Sequence, residues 1–258
     1  NGLATLLEAR GIVVHRPRKL TAAEHAYPGE GLAGGGLVFV RDPVLVVGER
    51  VIELGMFHPF RRRQKFGMRE ILERRTAESG SLLVSMPSPI PMSLEQGAGP
   101  GPFLEGGDVL LNGKHVYVGV SGHASSPSGA AWLQKLLGPT YQVEVVPLSK
   151  HHEHLDCVLS MPRPGLVIAC GDAFTEGLPS SLRAWNRIEV TTREAQLLAC
   201  NGLILDEKTY VMDKAHPRVA DALINYGIDV ISIPYDVPAK LFGGGLRCSH
   251  HPLRRESP

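Results

Sequence analysis

The chain has 258 residues, 43% of them hydrophobic and 21% charged, with a formal net charge of +1. A chain of this size buries a substantial core in a single domain spanning 1–258, and its near-neutral charge excludes the broad basic field of a nucleic-acid binder. No apolar run approaches the roughly 18 residues of a membrane span, and no secretory leader pattern opens the chain. The four cysteines, at 157, 170, 200 and 248, lack the density of a disulfide framework. They read as free thiols of a cytoplasmic protein.

Taken in order, the chain opens on Asn1 rather than Met, so residues are expected to precede it. Residues 3–17 read as a helix followed by a strand. Residues 38–86 give strand, strand, helix and strand, from VFVRDPVLVVG through RVIELG and MREILERR to SLLVSMP. The same order recurs at 108–148, with a hairpin at Gly113, and at 202–234, with a turn at Glu207 and Lys208 and a helix stop at Asn225-Tyr226-Gly227. A shorter copy occupies 154–190. β-Branched runs and helical periodicity carry these assignments. The stretch GGGLRCS at 243–249 reads as the start of a unit whose second half lies at 3–17. Four whole units and one split unit predict a closed, fivefold pseudosymmetric ring of ββαβ modules, with loops such as 88–102 at its rim. An open α/β sheet is the competing architecture.

Four short segments set a reactive side chain at one end of a strand: Asp42 in FVRD, Glu105 and Asp108 in FLEGGD, His154 and Asp156 in HLD, and Cys248 in GGGLRC. In a ring of repeated units, equivalent strand ends point at one central pocket. Each segment also has a plainer reading. Asp42 precedes Pro43 and suits a simple turn. Glu105 to Asp108 suits a tight turn in which Asp108 accepts from nearby amides. The run His151-His152-Glu153-His154 suits a metal or a solvated loop. Cys157, Cys170 and Cys200 lie in apolar settings and read as inert core thiols, and His250 and His251 read as loop residues.

Together these segments resemble the guanidino-group-modifying superfamily: arginine deiminases, dimethylarginine dimethylaminohydrolases and amidinotransferases. The motifs run from residue 39 to residue 248 in that family's order. The resemblance implies a pentein-type α/β propeller and needs no cofactor or metal. It also implies a small guanidino substrate, no nucleic-acid or membrane partner, and leaves a homo-oligomer open. Asp42 and Asp156 would bind the planar guanidinium through its N–H edges. Cys248 would attack the guanidinium carbon as a thiolate. His154 would protonate the leaving nitrogen and then deprotonate the incoming nucleophile, with Glu105 orienting the imidazole. Asp108 is counted with the substrate-binding acids. From the basic cluster Arg61, Arg62, Arg63 and Arg69, the candidates to grip a substrate carboxylate are Arg62 and Arg69.

The Glu105-Gly106-Gly107-Asp108 form resembles the hydrolases, and hydrolysis of arginine or a substituted arginine is the leading expectation. Amidino transfer to an amine is the alternative, because RDPVLVVGERVIELGMF and GGGLRCSHHPLRR resemble amidinotransferases. The glycines at 34–36 stand where deiminases carry an Asn, which weakens L-arginine itself as the substrate. Two other classes remain. A metal hydrolase using His151, His152 and His154 would be lost to a chelator, and a ligand-binding propeller would need no nucleophile.

Overall fold

The computed structural model describes residues 2–27, 36–90 and 98–255. Part of the expected rim loop at 88–102, and the glycines at 34 and 35, lie outside the described residues.

The strands form four separate three-stranded sheets rather than one open sheet. In the first unit, β1 (Val44–Val47) pairs antiparallel with β2 (Arg50–Glu53), and β2 pairs parallel with β3 (Leu82–Ser85) after helix α3 (Arg69–Ser79). Two helices precede it, α1 (Gly2–Glu8) and α2 (Ala22–Ala26). The second unit repeats the plan with β4 (Val109–Asn112), β5 (His115–Val120), α4 (Pro127–Leu137) and β6 (Gln142–Pro147). Gly113 takes φ +60 in the β4–β5 turn, which a side chain would strain. A parallel return needs a crossover, and in the first, second and fourth units a helix supplies it.

The third unit, β7 (Leu159–Arg163), β8 (Leu166–Ala169) and β9 (Asn186–Glu189), crosses over through a 3-10 turn at Ser180–Leu182. This is the shortened copy visible in the sequence. Helix α5 (Thr192–Gln196) leads to the fourth unit: β10 (Leu203–Ile204), β11 (Thr209–Asp213), α6 (Pro217–Asn225) and β12 (Asp229–Ile233). Helix α7 (Asp236–Phe242) then runs to the turn that carries Cys248.

The crossover helices α4 and α6 bury one face each. In α4 this face is Ala130, Leu133 and Leu137, packed on Val109, Val118 and Ile52 between the first two units. In α6 it is Val219, Ala220 and Leu223, joined to the core of the third and fourth units by Ile168, Tyr210 and Met212. Spacings of three, four and seven place such residues on one side of a helix.

The split unit is tied together by packing. From the start of the chain, Leu3, Leu6, Leu7 and Val14 cluster with Leu246, Leu203 and Val211. The strand expected after α1 is not formed among the described residues: 12–20 belong to no helix or strand. The architecture is the pentein-type propeller, with four units carrying described sheets and the fifth made of chain-end packing.

Candidate active site

Each unit approaches its first strand through a tight turn, and these turns hold the reactive side chains. Asp42 lies just before β1. Glu105 leads into the 3-10 turn Gly106–Asp108 before β4, and His154 leads into the 3-10 turn Leu155–Cys157 before β7. The glycines of the second turn permit close approach: a Cβ on Gly107 would stand 2.7 Å from Asp42 Oδ1 and 2.8 Å from the His154 ring. Gly107 instead donates its N–H to Asp42 Oδ1 at 3.0 Å.

Two triplets result. Asp42, Glu105 and His154 form the first, with one ligand-type atom from each within 4.8 Å of the others. His154 Nε2 meets Glu105 Oε2 at 2.9 Å, and Nδ1 lies 3.9 Å from Asp42 Oδ1. Burial opposes charge on His154. Asp42, the Glu105 bond and Asp108 outweigh it and hold the imidazole pKa well above 6.5. Burial also opposes charge on Asp42, but His154 and Arg61 keep its pKa lowered.

The second triplet is Asp156, Cys157 and Cys248, again within 4.8 Å of one another. Burial raises the Asp156 pKa against the pull of Arg41 and Arg247, whose Nε atoms each stand 3.8 Å from Oδ2. Asn201 ties this triplet together. Its Oδ1 accepts from the Cys248 N–H at 3.3 Å and faces Cys248 Sγ at the same distance, while its Nδ2 donates to the Asp156 carbonyl at 3.2 Å. The triplets are joined covalently, since Asp156 follows His154 by two residues, and through Arg41, which adjoins Asp42 and donates its N–H to the Cys248 carbonyl at 3.2 Å.

The expected residues Cys248, His154, Glu105, Asp42 and Asp156 are therefore distributed over these two linked triplets, all of them buried. Three others are not placed as expected. Asp108 is engaged by backbone amides: Oδ1 accepts from Leu155 N–H at 3.0 Å and Oδ2 from Ser125 N–H at 3.1 Å. Burial pushes its pKa up to about 7. Arg62 donates to the carbonyls of Met56, Phe57 and Ala98. Arg69 is paired with Glu53 at 2.5 Å and 2.6 Å. These two guanidinium groups are consumed by local structure and do not face the triplets.

The arginine that does face them is Arg61, at the end of a 3-10 turn spanning Pro59–Arg61. It reaches Asp42 Oδ2 at 2.7 Å and Glu105 Oε2 at 3.4 Å, with Nε donating to Gln64 at 3.2 Å. Sequence reading also missed Asn201 and the position of Cys157, which packs against the core but sets its sulfur beside Cys248. Asn201 precedes β10 as Asp42 precedes β1, so completing the repeat would have marked it. Nothing in a run of three arginines marks the first.

Either triplet has the atoms for a metal, but both already hold cations. Arg61 lies against Asp42 and Glu105, and Arg41 and Arg247 flank Asp156. A divalent ion would meet these charges at close range. His151 and His152 belong to neither group. His250 and His251 stay neutral beside Arg41 and Arg247, burial being the larger cause, with His250 lowered to about 3.

No family model matches the chain. It is 28% identical to a putative inosamine-phosphate amidinotransferase 2 of Streptomyces griseus, across 96% of this chain and 77% of that protein. The fold matches the amidinotransferase SxtG of Microseira wollei with a TM-score of 0.84 at 21% identity, covering 100% of this chain and 82% of that one. A dimethylarginine dimethylaminohydrolase shares the fold with a TM-score of 0.67 at 23% identity, over 83% and 77% of the two chains. The chain is similar in sequence to amidinotransferases and shares its fold with other guanidino-group-modifying enzymes. Within that class, amidinotransferases are similar to it along nearly its whole length.

Proposed function

We propose that this protein is an amidinotransferase, moving the amidino group of arginine or a related guanidine to an amine through Cys248. The observation that carries the reading is the near-complete alignment with proteins named as amidinotransferases, acting in one case on inosamine phosphate and in another between L-arginine and L-lysine. This departs from the hydrolytic reading that the Glu105-Gly106-Gly107-Asp108 form favoured. The glycines fit either chemistry, because their closeness to Asp42 and His154 explains them without reference to water.

In this mechanism the Cys248 sulfur attacks the guanidinium carbon. His154, protonated because Asp42 and Glu105 surround it, passes a proton to the departing amine. The amidino group then rests on sulfur as a thiouronium. An acceptor amine attacks that carbon, His154 takes its proton, and the C–S bond breaks to give a new guanidine and free Cys248. Cys248 is 4% exposed and His154 5%, which limits access of bulk water to the intermediate and favours an acceptor that carries its own amine. Among the described residues no helix is long and apolar enough to cross a membrane. Free cysteines support a reducing, cytoplasmic setting.

Product analysis by mass spectrometry tests the reading, with arginine supplied alone and with lysine, glycine or an aminocyclitol phosphate. A transferase forms ornithine and a guanidinylated acceptor only when the acceptor is present. Citrulline and ammonia formed without an acceptor would restore the hydrolytic reading. Cys248→Ser should abolish either reaction, and a fully active variant would sink both.

A further inference from the structure

Cys157 is a thiol that the proposed reaction does not use, yet it stands beside the one that it does. The two sulfurs and a carboxylate oxygen of Asp156 lie within 4.8 Å of one another. Asn201 bridges them, with Oδ1 3.3 Å from Cys248 Sγ and Nδ2 4.0 Å from Cys157 Sγ. Cys157 is also 3.6 Å from Asp156 Oδ1. Its hydrogen bond to Cys248, and then burial, raise its pKa well above that of a free thiol, so Cys157 stays protonated. A disulfide has sulfurs about 2.05 Å apart, so closing this pair asks for an approach of at most ~3 Å. Cys170 and Cys200 lie inside the core of the third and fourth units, whereas Cys157 packs at its edge and belongs to the Asp156–Cys248 triplet.

We propose that Cys157 and Cys248 form a reversible redox pair, in which a hydroperoxide oxidises Cys248 and Cys157 resolves the product as an intramolecular disulfide. In the first step the Cys248 thiolate attacks one peroxide oxygen. The O–O bond breaks, the other oxygen leaves as alkoxide or hydroxide, and Cys248 becomes a sulfenic acid. In the second step the Cys157 sulfur attacks the sulfenic sulfur and the S–O bond breaks. The departing hydroxide takes the Cys157 proton and leaves as water. Two thiols lose two electrons, and the hydroperoxide is reduced to an alcohol or water. A resolving thiol at this range competes with further oxidation of Cys248 to the irreversible sulfinate. The effect on turnover rests on the reading of Cys248 as the nucleophile, but formation of the bond does not.

The test treats the full chain with hydrogen peroxide, alkylates it, digests it without reductant and maps the peptides. The expected result is a peptide pair linking residues 157 and 248, an intact mass lower by about 2 Da, and Cys170 and Cys200 alkylated. Turnover should fall by at least ~tenfold and return with dithiothreitol. In Cys157→Ser, peroxide should instead add oxygen to Cys248, and dithiothreitol should not restore turnover. Because that variant has a changed site, the linkage in the unaltered chain decides the matter. Oxidised Cys248 beside an alkylated Cys157 would overturn the proposal. Turnover without linkage would overturn the redox pair alone, and linkage without turnover of any guanidine would support it while removing the proposed function.

Discussion

Arg61 shows what one side chain does in a site dense with acids. It lies against two buried carboxylates, Asp42 and Glu105, so removing it leaves both without their guanidinium. Breaking a buried pair from one side costs about 3–5 kcal/mol, mostly the penalty on the stranded charge. Arg61→Gln should therefore lower the unfolding free energy obtained from urea titration by about that amount, with Arg61→Lys recovering part of it. An unchanged midpoint would show that the ion pairs are without consequence. His154 gives a second test at this scale. Its folded pKa is raised, so its stabilisation is complete below an unfolded value near 6.5 and is lost as pH rises through the folded value. Asp108, at about 7 against an ordinary 3.8, tilts stability the same way over the lower interval. Asp42 works in reverse, stabilising above its ordinary value and losing that as pH falls through its lowered one. Urea midpoints should thus decline as pH rises above the unfolded imidazole value near 6.5, and His154→Gln should flatten that decline. A variant with the same slope would remove His154 as its source.

At the scale of elements, the turn before α4 straps the catalytic turn of its unit. Ser125 Oγ accepts from the Glu105 N–H at 2.9 Å, and Ser126 Oγ accepts from the N–H groups of Phe103 at 3.0 Å and Gly129 at 3.2 Å. Ser126 thus caps α4 and holds the segment leading to Glu105 at once. Ser125→Ala strands a buried donor, which costs about 1–3 kcal/mol, and it loosens the backbone that aims Glu105. Thermal melts and turnover should both drop, and a variant matching wild type in both would mean that the strap is idle. Elements of this kind were legible because they repeat. Strand, hairpin, helix and strand recur with β-branched and helical spacing, and their turns put Asp42, Glu105, His154, Asp156 and Cys248 at equivalent places. What the sequence hid depends on rotation about one turn. Arg61, Arg62 and Arg63 are consecutive, and only the 3-10 geometry decides that Arg61 points at Asp42 while Arg62 turns to carbonyls. The place of Cys157 was hidden for a related reason: it precedes an apolar strand and packs against the core, yet the same type of turn brings its sulfur beside Cys248.

Over the whole molecule, the Cys248 turn is held from both neighbours, by Asn201 from the fourth unit and Arg41 from the first. Leu246 joins it to the helix at the start of the chain, and Leu253 packs beside Val44 and Leu72. Closure of the ring and assembly of the site are one event, because no single unit owns both the sulfur and the imidazole. Each reactive side chain nevertheless hangs on its own module. The polypeptide therefore has no obligatory first residue. A circularly permuted gene, opened at the Gly113 hairpin and with its former termini joined by a flexible linker, should yield the same architecture. Its turnover should stay within about tenfold of the original, whereas an inactive but folded permutant would show that chain order itself shapes the centre.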